Sequence, residues 1–252
     1  MPFPVAIDSL LDLATRVTRR LSGRRAPDYR ELLFQDLCTK LAGKRPLRIL
    51  EIGPRDGEDT KRLLTLRPDV LVLVDLPDKE ARVRQWLAEL DATSIELIIA
   101  NIMYDEKCAA LDPFDVVWCT GVLYHNPEQL RMVKRLFDFT RRGGVLVIES
   151  ATARRRHLRD ENCVEIWHGV SKSTHSAYHV SVNITHLPSK RAILSWLRMV
   201  GFGDIRSSDC LRRILRRLGR DRAAFIAQRP EHDVTATYYS IAGLDYEIGR
   251  AR

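Results

Sequence analysis

Short apolar runs alternate with helix-period segments along most of the chain. Five of the runs have the length of strands and occupy residues 47–52, 70–75, 95–101, 112–120 and 143–150. Strands that are apolar throughout are buried on both faces, and strands separated by helical segments imply crossover connections between parallel neighbours. The pattern therefore predicts an α/β fold built on a Rossmann-like, mostly parallel sheet with flanking helices.

Two further strands extend the predicted sheet to seven. They lie at 204–210 and 222–228, after a helix that ends at Gly201. Between the fifth strand and that helix, residues 151–186 are polar, rich in His and without clear periodicity. An insertion of this length in a compact domain is more often a lid or binding loop than a plain connection. We therefore expect the insertion to border a functional site.

The chain before the first strand has the pattern of two amphipathic helices, near 5–20 and 28–42, with Asp28 as a cap for the second. At the other end, Tyr238 and Tyr239 are expected to pack a C-terminal tail on the body. The predicted organisation has three parts. They are an N-terminal helical extension at 1–44, a central domain at 45–228 that contains the insertion at 151–186, and a tail at 229–252.

Composition narrows the class of protein. With 252 residues, 45% of them hydrophobic, the chain can form one sizeable core. The formal net charge of +8 permits an anionic partner, but an Arg-rich proteome explains it equally simply. Five cysteines without a CxxC pair indicate a reducing compartment. No apolar run reaches the roughly 18 residues of a membrane span, and the N-terminal basic residues follow the apolar ones, unlike a signal peptide. We expect a cytoplasmic protein.

A carboxylate near the end of the first strand precedes two glycines that follow the strand, at the sheet edge where such folds bind ligands. They are Glu51, Gly53 and Gly57, in the pattern E-x-G-x-x-x-G. A nicotinamide dinucleotide fingerprint would need G-x-G-x-x-G, which this turn does not match. The turn resembles motif I of the class I S-adenosylmethionine (SAM) methyltransferases, commonly ExGxGxG, although Arg55 stands in place of the middle glycine.

The ends of the later strands carry the same resemblance over roughly residues 45–228. VLVLVD ends in Asp75, IIAN ends in Asn101, and WCTGVLYH and RRGGVLVIES are similar to the segments at the fourth and fifth strands of that family. The resemblance implies that SAM is the cofactor and that it is bound by Glu51, Gly53, Arg55, Gly57, Asp75, Leu76, Asn101, Ile102, Cys119 and Thr120.

Each cofactor residue has an implied role and a plainer alternative. Asp75 would accept hydrogen bonds from the ribose hydroxyls, although it could be a turn residue. Asn101 would face the adenine amino group, with Ile102 packed on the ring, although an Asn here could be a cap. The two glycines would admit the methionine part. Glu51 would fix the loop or the methionine amine, or it could be a buried staple of the loop.

Two segments resemble a narrower group of enzymes. CTGVLYHNPEQL and PSKRAILSWLRMVGF are similar to segments of the tRNA wobble-uridine carboxymethyltransferases. Bacterial methyltransferases of sugars and secondary metabolites share the pattern, and the tRNA enzymes are longer at the N-terminus. The resemblance therefore predicts the class of reaction for this chain and leaves the substrate open.

The chemistry of methyl transfer points to three candidate catalytic residues. An oxygen acceptor needs alignment and a general base. His125 follows the fourth strand and has a suitable unperturbed pKa of about 6.5; alternatively it positions Tyr124 or caps the next helix. Tyr124 would shape the methyl pocket. Glu149, at the end of the fifth strand, could be a base or a metal ligand, and a structural ion pair is an equal alternative.

Metal and anion sites are weaker expectations. His168, His175, His179 and His186 lie in the insertion, but their spacing matches no recognised zinc pattern. A divalent cation such as magnesium, held through Glu149, follows only by analogy with some sugar methyltransferases. The basic segments 154–159 and 211–220 could bind phosphate, nucleic acid or a membrane surface, or could be solvated faces.

Three hypotheses remain from the sequence. The favoured one is an O-methyltransferase that acts on a saccharide or another polar small molecule. The second is a tRNA-modifying enzyme, with nucleic acid as a less favoured partner. The third is a non-catalytic binding protein with the SAM fold, suggested by Arg55 in the glycine turn. The oligomeric state, including a homodimer, stays open.

Overall fold

The structure is a computed structural model, and it describes residues 28–90, 93–168, 184–208, 210 and 221–232. Apolar segments form nine strands among these residues. Their bounds are β1 Arg48–Ile52, β2 Val70–Asp75, β3 Ile95–Ile99, β4 Phe114–Thr120, β5 Thr140–Ala151, β6 Val164–His168, β7 Ile184–Pro188, β8 Gly203–Ser207 and β9 Arg222–Gln228.

Six α-helices lie between or before these strands in the described ranges. Their bounds are α1 Tyr29–Leu41, α2 Glu58–Leu64, α3 Glu80–Leu87, α4 Glu106–Ala109, α5 Gln129–Phe139 and α6 Lys190–Val200. Local chemistry sets several ends. The Asp28 side chain accepts a hydrogen bond from the Arg30 amide at the start of α1, and Gly201, at φ +108°, ends α6 in the left-handed conformation. Both ends agree with the sequence prediction.

Seven strands form one sheet in the order β3-β2-β1-β4-β5-β9-β8. The first five strands are parallel, whereas β9 runs antiparallel to both β5 and β8. Strand order reverses between β1 and β4, which places the predicted ligand site at their carboxyl ends. The predicted Rossmann-like, seven-stranded, mostly parallel sheet is confirmed.

Alternate residues of the central strands pack into two apolar layers, one on each face of the sheet. Leu50 of β1 packs in one layer with α5 and α6, and Ile49 packs in the other with α1, α2 and α3. Burial on both faces explains why the central strands are apolar throughout. It also makes α1 part of the core, because its Leu33 and Leu37 are fully buried in the second layer.

The structure departs from the sequence expectation in the insertion. Val164–His168 and Ile184–Pro188 pair as an antiparallel two-stranded sheet, in a region where no periodicity was predicted. The strand predicted at 204–210 is also shorter than expected, because β8 runs from Gly203 to Ser207. The predicted helix near 5–20, the basic segment 211–220 and the tyrosine pair of the tail lie outside the described residues.

Candidate active site

A cavity of about 670 Å³ opens at the carboxyl ends of β1, β2, β3 and β4. Its walls combine apolar residues at the strand ends with polar residues from the following loops and from α1. Ile52, Val74, Ala100 and Ile102 supply the apolar part. The cavity therefore lies at the reversal of strand order, where the sequence predicted a ligand.

The glycine turn between β1 and α2 shapes one wall. Gly53 has φ +69°, and a Cβ built on it would lie 2.8 Å from Val122 Cγ2. Gly57 has φ +78° and packs elsewhere, because its Cβ would lie 2.6 Å from Trp86. Gly53 therefore borders the cavity as predicted, whereas the structure assigns Gly57 to the packing of α2 against α3.

Arg55 explains how the turn keeps its shape without a middle glycine. Its φ is +55°, so the residue occupies the left-handed region that glycine normally fills. Arg55 lines the cavity, and its backbone lies close enough to the Asp75 carboxyl to oppose, slightly, the rise in the pKa of that group on burial. The substitution therefore retains the backbone path of the glycine pattern at the cost of some local strain.

Glu51 lies behind the cavity wall and does not line it. Its side chain is 1% exposed, and Thr60 Oγ1 donates a hydrogen bond of 2.7 Å to Oε2. Burial raises the pKa of this carboxyl to about 8, so it is largely protonated at neutral pH. Its position matches the alternative of a buried staple rather than direct contact with a cofactor.

Polar residues at the ends of β2 and β3 face the cavity. Asp75 and the following Leu76 line it, and burial raises the pKa of the Asp75 carboxyl. Asp75 Oδ1 accepts a 2.8 Å hydrogen bond from the Leu76 amide. Asn101 and Ile102 line the cavity one strand further on, with Asn101 Oδ1 accepting from the Met103 amide. All four residues line the cavity, and their contact with SAM stays a prediction.

Of the two residues predicted at the end of β4, one lines the cavity and the other lies in the apolar core. Thr120 lines the cavity, whereas Cys119 is fully buried in the apolar layer with Leu50 and Ile52. Strand alternation explains the difference, because neighbouring side chains point to opposite faces. The structure therefore places Thr120, and not the Cys119 side chain, next to the ligand space.

Tyr124 and His125 lie together at the polar end of the cavity. They belong to a 3-10 turn, and their ring centroids are 4.1 Å apart. Burial lowers the pKa of His125 to about 4, and the positive charges of Arg222 and Lys79 lower it further in the same direction. The imidazole is therefore neutral at physiological pH.

Glu149 is committed to an ion pair. Its two carboxylate oxygens accept hydrogen bonds from Arg222 Nε and from Arg222 Nη2, the latter at 2.9 Å. The carboxylate is fully buried and does not line the cavity, whereas Arg222 does. The structure therefore gives the ion-pair alternative for Glu149 instead of a base or metal ligand. The pairing was not predictable from local sequence, because β9 had to be placed beside β5 first.

Helix α1 contributes two residues that the sequence analysis missed. Tyr29 and Arg30 line the cavity, and the Arg222 guanidinium lies 5.7 Å from the ring centroids of both Tyr29 and Tyr124. A Cβ on Gly121 would be 3.1 Å from Arg30 Nη2 and 4.0 Å from Arg222 Nη2. Two guanidinium groups therefore converge on one side of the site. The predicted helix and its Asp28 cap gave no indication of where the helix would dock.

The described residues of the basic segment 154–159 and of the His-rich insertion make ion pairs and hydrogen bonds within the protein. Arg155 pairs with the buried Glu165, and Arg159 pairs with Asp221. The described His186 contributes its backbone carbonyl to a hydrogen bond from Gln129. His175 and His179 lie outside the described residues. Within the described part of the chain, no group of three or more His, Cys, Asp or Glu side chains is arranged to hold a metal ion.

A protein-family model described as "Methyltransferase domain" matches residues 24–206. The chain belongs to this methyltransferase family. The match begins ahead of α1 and ends in β8, so it includes α1 and the residues that line the cavity except Arg222 of β9. None of the helices that the structure describes is long and apolar enough to cross a membrane.

Curated relatives are similar to this chain over part of their length. The chain is 30% identical over 174 residues to a tRNA U34 carboxymethyltransferase of Pseudomonas putida (strain GB-1), covering 67% of this chain and 48% of the relative. The chain spans about half the length of the curated relatives it matches.

Two solved structures share the fold. The N-terminal domain of EvdMO1, crystallised in the presence of SAH and D-fucose, has a TM-score of 0.59 at 18% identity and covers 82% of this chain and 85% of its own. The glycopeptide N-methyltransferase MtfA in complex with SAM has a TM-score of 0.57 at 16% identity, with 78% and 92% covered.

Proposed function

We propose that the protein binds SAM and transfers its methyl group to a hydroxyl oxygen of a polar small molecule, with saccharides as the first class to test. One observation carries the proposal. The residues suited to SAM, from Gly53 to Asp75 and Asn101, line the same cavity as Tyr124 and His125. Donor and acceptor would therefore lie in one enclosed space, as in-line transfer requires.

The reaction needs one bond to form as another breaks. The acceptor oxygen attacks the sulfonium methyl carbon, the sulfur–carbon bond breaks, and S-adenosylhomocysteine (SAH) leaves with the bonding electrons. The neutral His125 imidazole can take the hydroxyl proton. Its pKa of about 4 makes it a weak base, so the positive charges of Arg30 and Arg222 would help by stabilising developing negative charge on oxygen. The site thus favours hydroxyls that are already acidic.

The test is methyl transfer from radiolabelled SAM to a panel of neutral sugars, sugar acids and phenols. We expect turnover with at least one hydroxyl acceptor and a bias toward the acidic ones. His125→Ala should lower kcat by about 100-fold, the usual contribution of a general base, while SAH affinity stays within about twofold of wild type. Tight SAH binding without turnover on any acceptor would instead support the non-catalytic hypothesis.

A second candidate is modification of the wobble uridine in tRNA with a carboxymethyl group. The printed name of the curated relatives suggests it, and the converging Arg30 and Arg222 guanidinium groups give it a physical basis. A carboxymethyl group differs from a methyl group by a carboxylate, which two neighbouring guanidinium groups can bind. The net charge of +8 also suits a polyanionic acceptor.

Donor competition separates the two candidates. The carboxymethyl analogue of SAM and SAM itself should be compared for binding to wild type and to Arg222→Met. If carboxymethyl transfer is the function, wild type prefers the carboxylated donor by tenfold or more and the variant loses that preference. A wild-type preference for SAM, together with no tRNA binding even at low salt, would remove this candidate.

A further inference from the structure

Asp59, in the first turn of α2, is a buried carboxylate that the cavity does not reach. Its side chain is 2% exposed. Four donors from three elements of the fold converge on it: Arg62 Nη1 at 2.8 Å from Oδ1, and Arg30 Nη1 at 2.6 Å, Trp118 Nε1 at 3.1 Å and Thr120 Oγ1 at 3.1 Å from Oδ2. Two of these donors, Arg30 and Thr120, belong to residues that line the cavity.

The bond to Asp59 fixes the polarity of the Thr120 hydroxyl. A hydroxyl has one proton and two lone pairs. Asp59 Oδ2 already receives hydrogen bonds from a guanidinium and an indole N–H, so it acts as an acceptor, and the Thr120 proton points to it. The lone pairs of Thr120 Oγ1 are then available to a hydrogen-bond donor in the cavity.

The position of Thr120 indicates which donor that is. Ile52 pairs with Cys119 in the sheet register, so Gly53 and Thr120 leave the adjacent strands β1 and β4 side by side. The glycine turn is where the methionine part of SAM is expected, and its α-ammonium group needs hydrogen-bond acceptors. Glu51 is a poor anionic partner for that ammonium, because it lies behind the wall with a pKa of about 8.

We propose that Asp59 is a positioning residue: it orients the Thr120 hydroxyl so that the hydroxyl accepts a hydrogen bond from the α-ammonium group of SAM. This inference rests on the proposed cofactor and is independent of the methyl acceptor. Asp59 also holds Arg30, so weaker cofactor binding after its removal would not by itself identify the role. The test must therefore report on the ammonium group alone.

Calorimetry with two ligands provides that readout. SAH is compared with its analogue that lacks only the α-amino group, and the ratio of their affinities is the ammonium preference. One charge-assisted hydrogen bond predicts a preference of about ten- to a hundredfold in wild type. Thr120→Val should remove most of this preference, and Thr120→Ser, which retains the hydroxyl, should preserve it.

The Asp59 variants test the positioning step. Asp59→Ala should reduce the preference as strongly as Thr120→Val, and the double variant should add no further loss, because both changes remove the same oriented hydroxyl. Asp59→Asn should keep part of the preference, since its amide oxygen can still accept from Thr120, although the hydrogen bond from Arg62 Nη1 is lost. Chemical unfolding of each variant confirms that the binding measurements are made on folded protein.

Several outcomes overturn the inference. Asp59→Ala could lower the affinities for both ligands by the same factor, and Asp59 would then have a purely structural role. Thr120→Val could retain the full preference, and this result would be decisive even if Asp59→Ala did not fold. A wild type that binds both ligands equally would also overturn the inference while leaving the proposed function intact. A wild type that binds neither ligand would overturn the proposed function as well.

Discussion

At the scale of single residues, burial decides what the carboxyl groups around the cavity can do. Asp75 keeps 9% exposure at the cavity surface and can meet a ligand, whereas Glu51 is sealed behind the wall with Thr60 as its hydrogen-bond partner. Burial raises the pKa of both carboxyls, and it raises that of Glu51 to about 8. The first acidic residue of the glycine motif is therefore an internal hydrogen-bonding group near neutral pH.

Glu51 should make the ligand-free protein less stable as the pH rises. In the folded state it keeps its proton up to a pKa of about 8, while in the unfolded chain it loses the proton near its ordinary pKa of 4.5. The stability from this group is present below pH 4.5 and is lost as pH rises through 8. Between pH 6.5 and 8.5 the free energy of unfolding should fall by at most about 1.4 kcal/mol per pH unit from this group.

Glu51→Gln should remove that slope, and urea unfolding across this pH range measures it. His125, whose pKa is lowered to about 4, contributes equally to wild type and to Glu51→Gln, so its effect cancels in the comparison. Glu58→Gln is the matched control, because Glu58 lies close by in the chain with its side chain 58% exposed. Equal slopes for wild type and Glu51→Gln would contradict the assignment of a protonated Glu51.

At the scale of elements, the turn from β1 into α2 depends on packing as much as on ligand contact. Gly57 should not tolerate a side chain, because its φ is +78° and a Cβ would lie 2.6 Å from the Trp86 ring. Gly43 has a similar φ of +79° but has nothing within 4 Å of the same position. Alanine variants at Gly57 and Gly43 therefore separate the effect of backbone strain on the free energy of unfolding from the effect of the clash.

Gly57→Ala should destabilise the protein by about 3 kcal/mol, since strain and overpacking each contribute on the order of 1–2 kcal/mol. Gly43→Ala should lower the free energy of unfolding by only about 1 kcal/mol. Denaturant unfolding of both variants checks the difference. If the two variants are equally stable, the contact between the glycine turn and Trp86 is not restrictive.

The elements also show which parts of the site the sequence could predict. Asp75, Asn101 and Thr120 were found because a strand end fixes its own position at the edge of a parallel sheet. For Glu149 the sequence left a catalytic role and an ion pair equally open, because its partner Arg222 comes from β9, more than 70 residues away. The hairpin of the insertion was missed because Val164 and Ile166 lie exposed on a two-stranded sheet and form no buried stripe.

At the scale of the whole molecule, α1 joins the cavity to the far edge of the sheet. Near its start, Arg30 reaches Asp59. Near its end, Lys40 contacts Asp204 and donates a 2.7 Å hydrogen bond to Gln228 of β9. A boundary at residue 44 remains a prediction for the extension as a whole, but α1 is integral to the site. Sequence periodicity predicted the helix; its docking depends on contacts between distant segments.

The SAM site is the claim on which the rest depends, and calorimetry with SAH on wild type and Asp75→Ala tests it most directly. If the Asp75 carboxylate accepts two ribose hydrogen bonds, its loss should weaken binding by about 100-fold or more. Asp69→Ala, on an exposed residue of a surface pair, is the control that should bind as wild type. We predict micromolar SAH binding that Asp75→Ala abolishes; no binding by wild type, or equal binding by both proteins, would contradict the account.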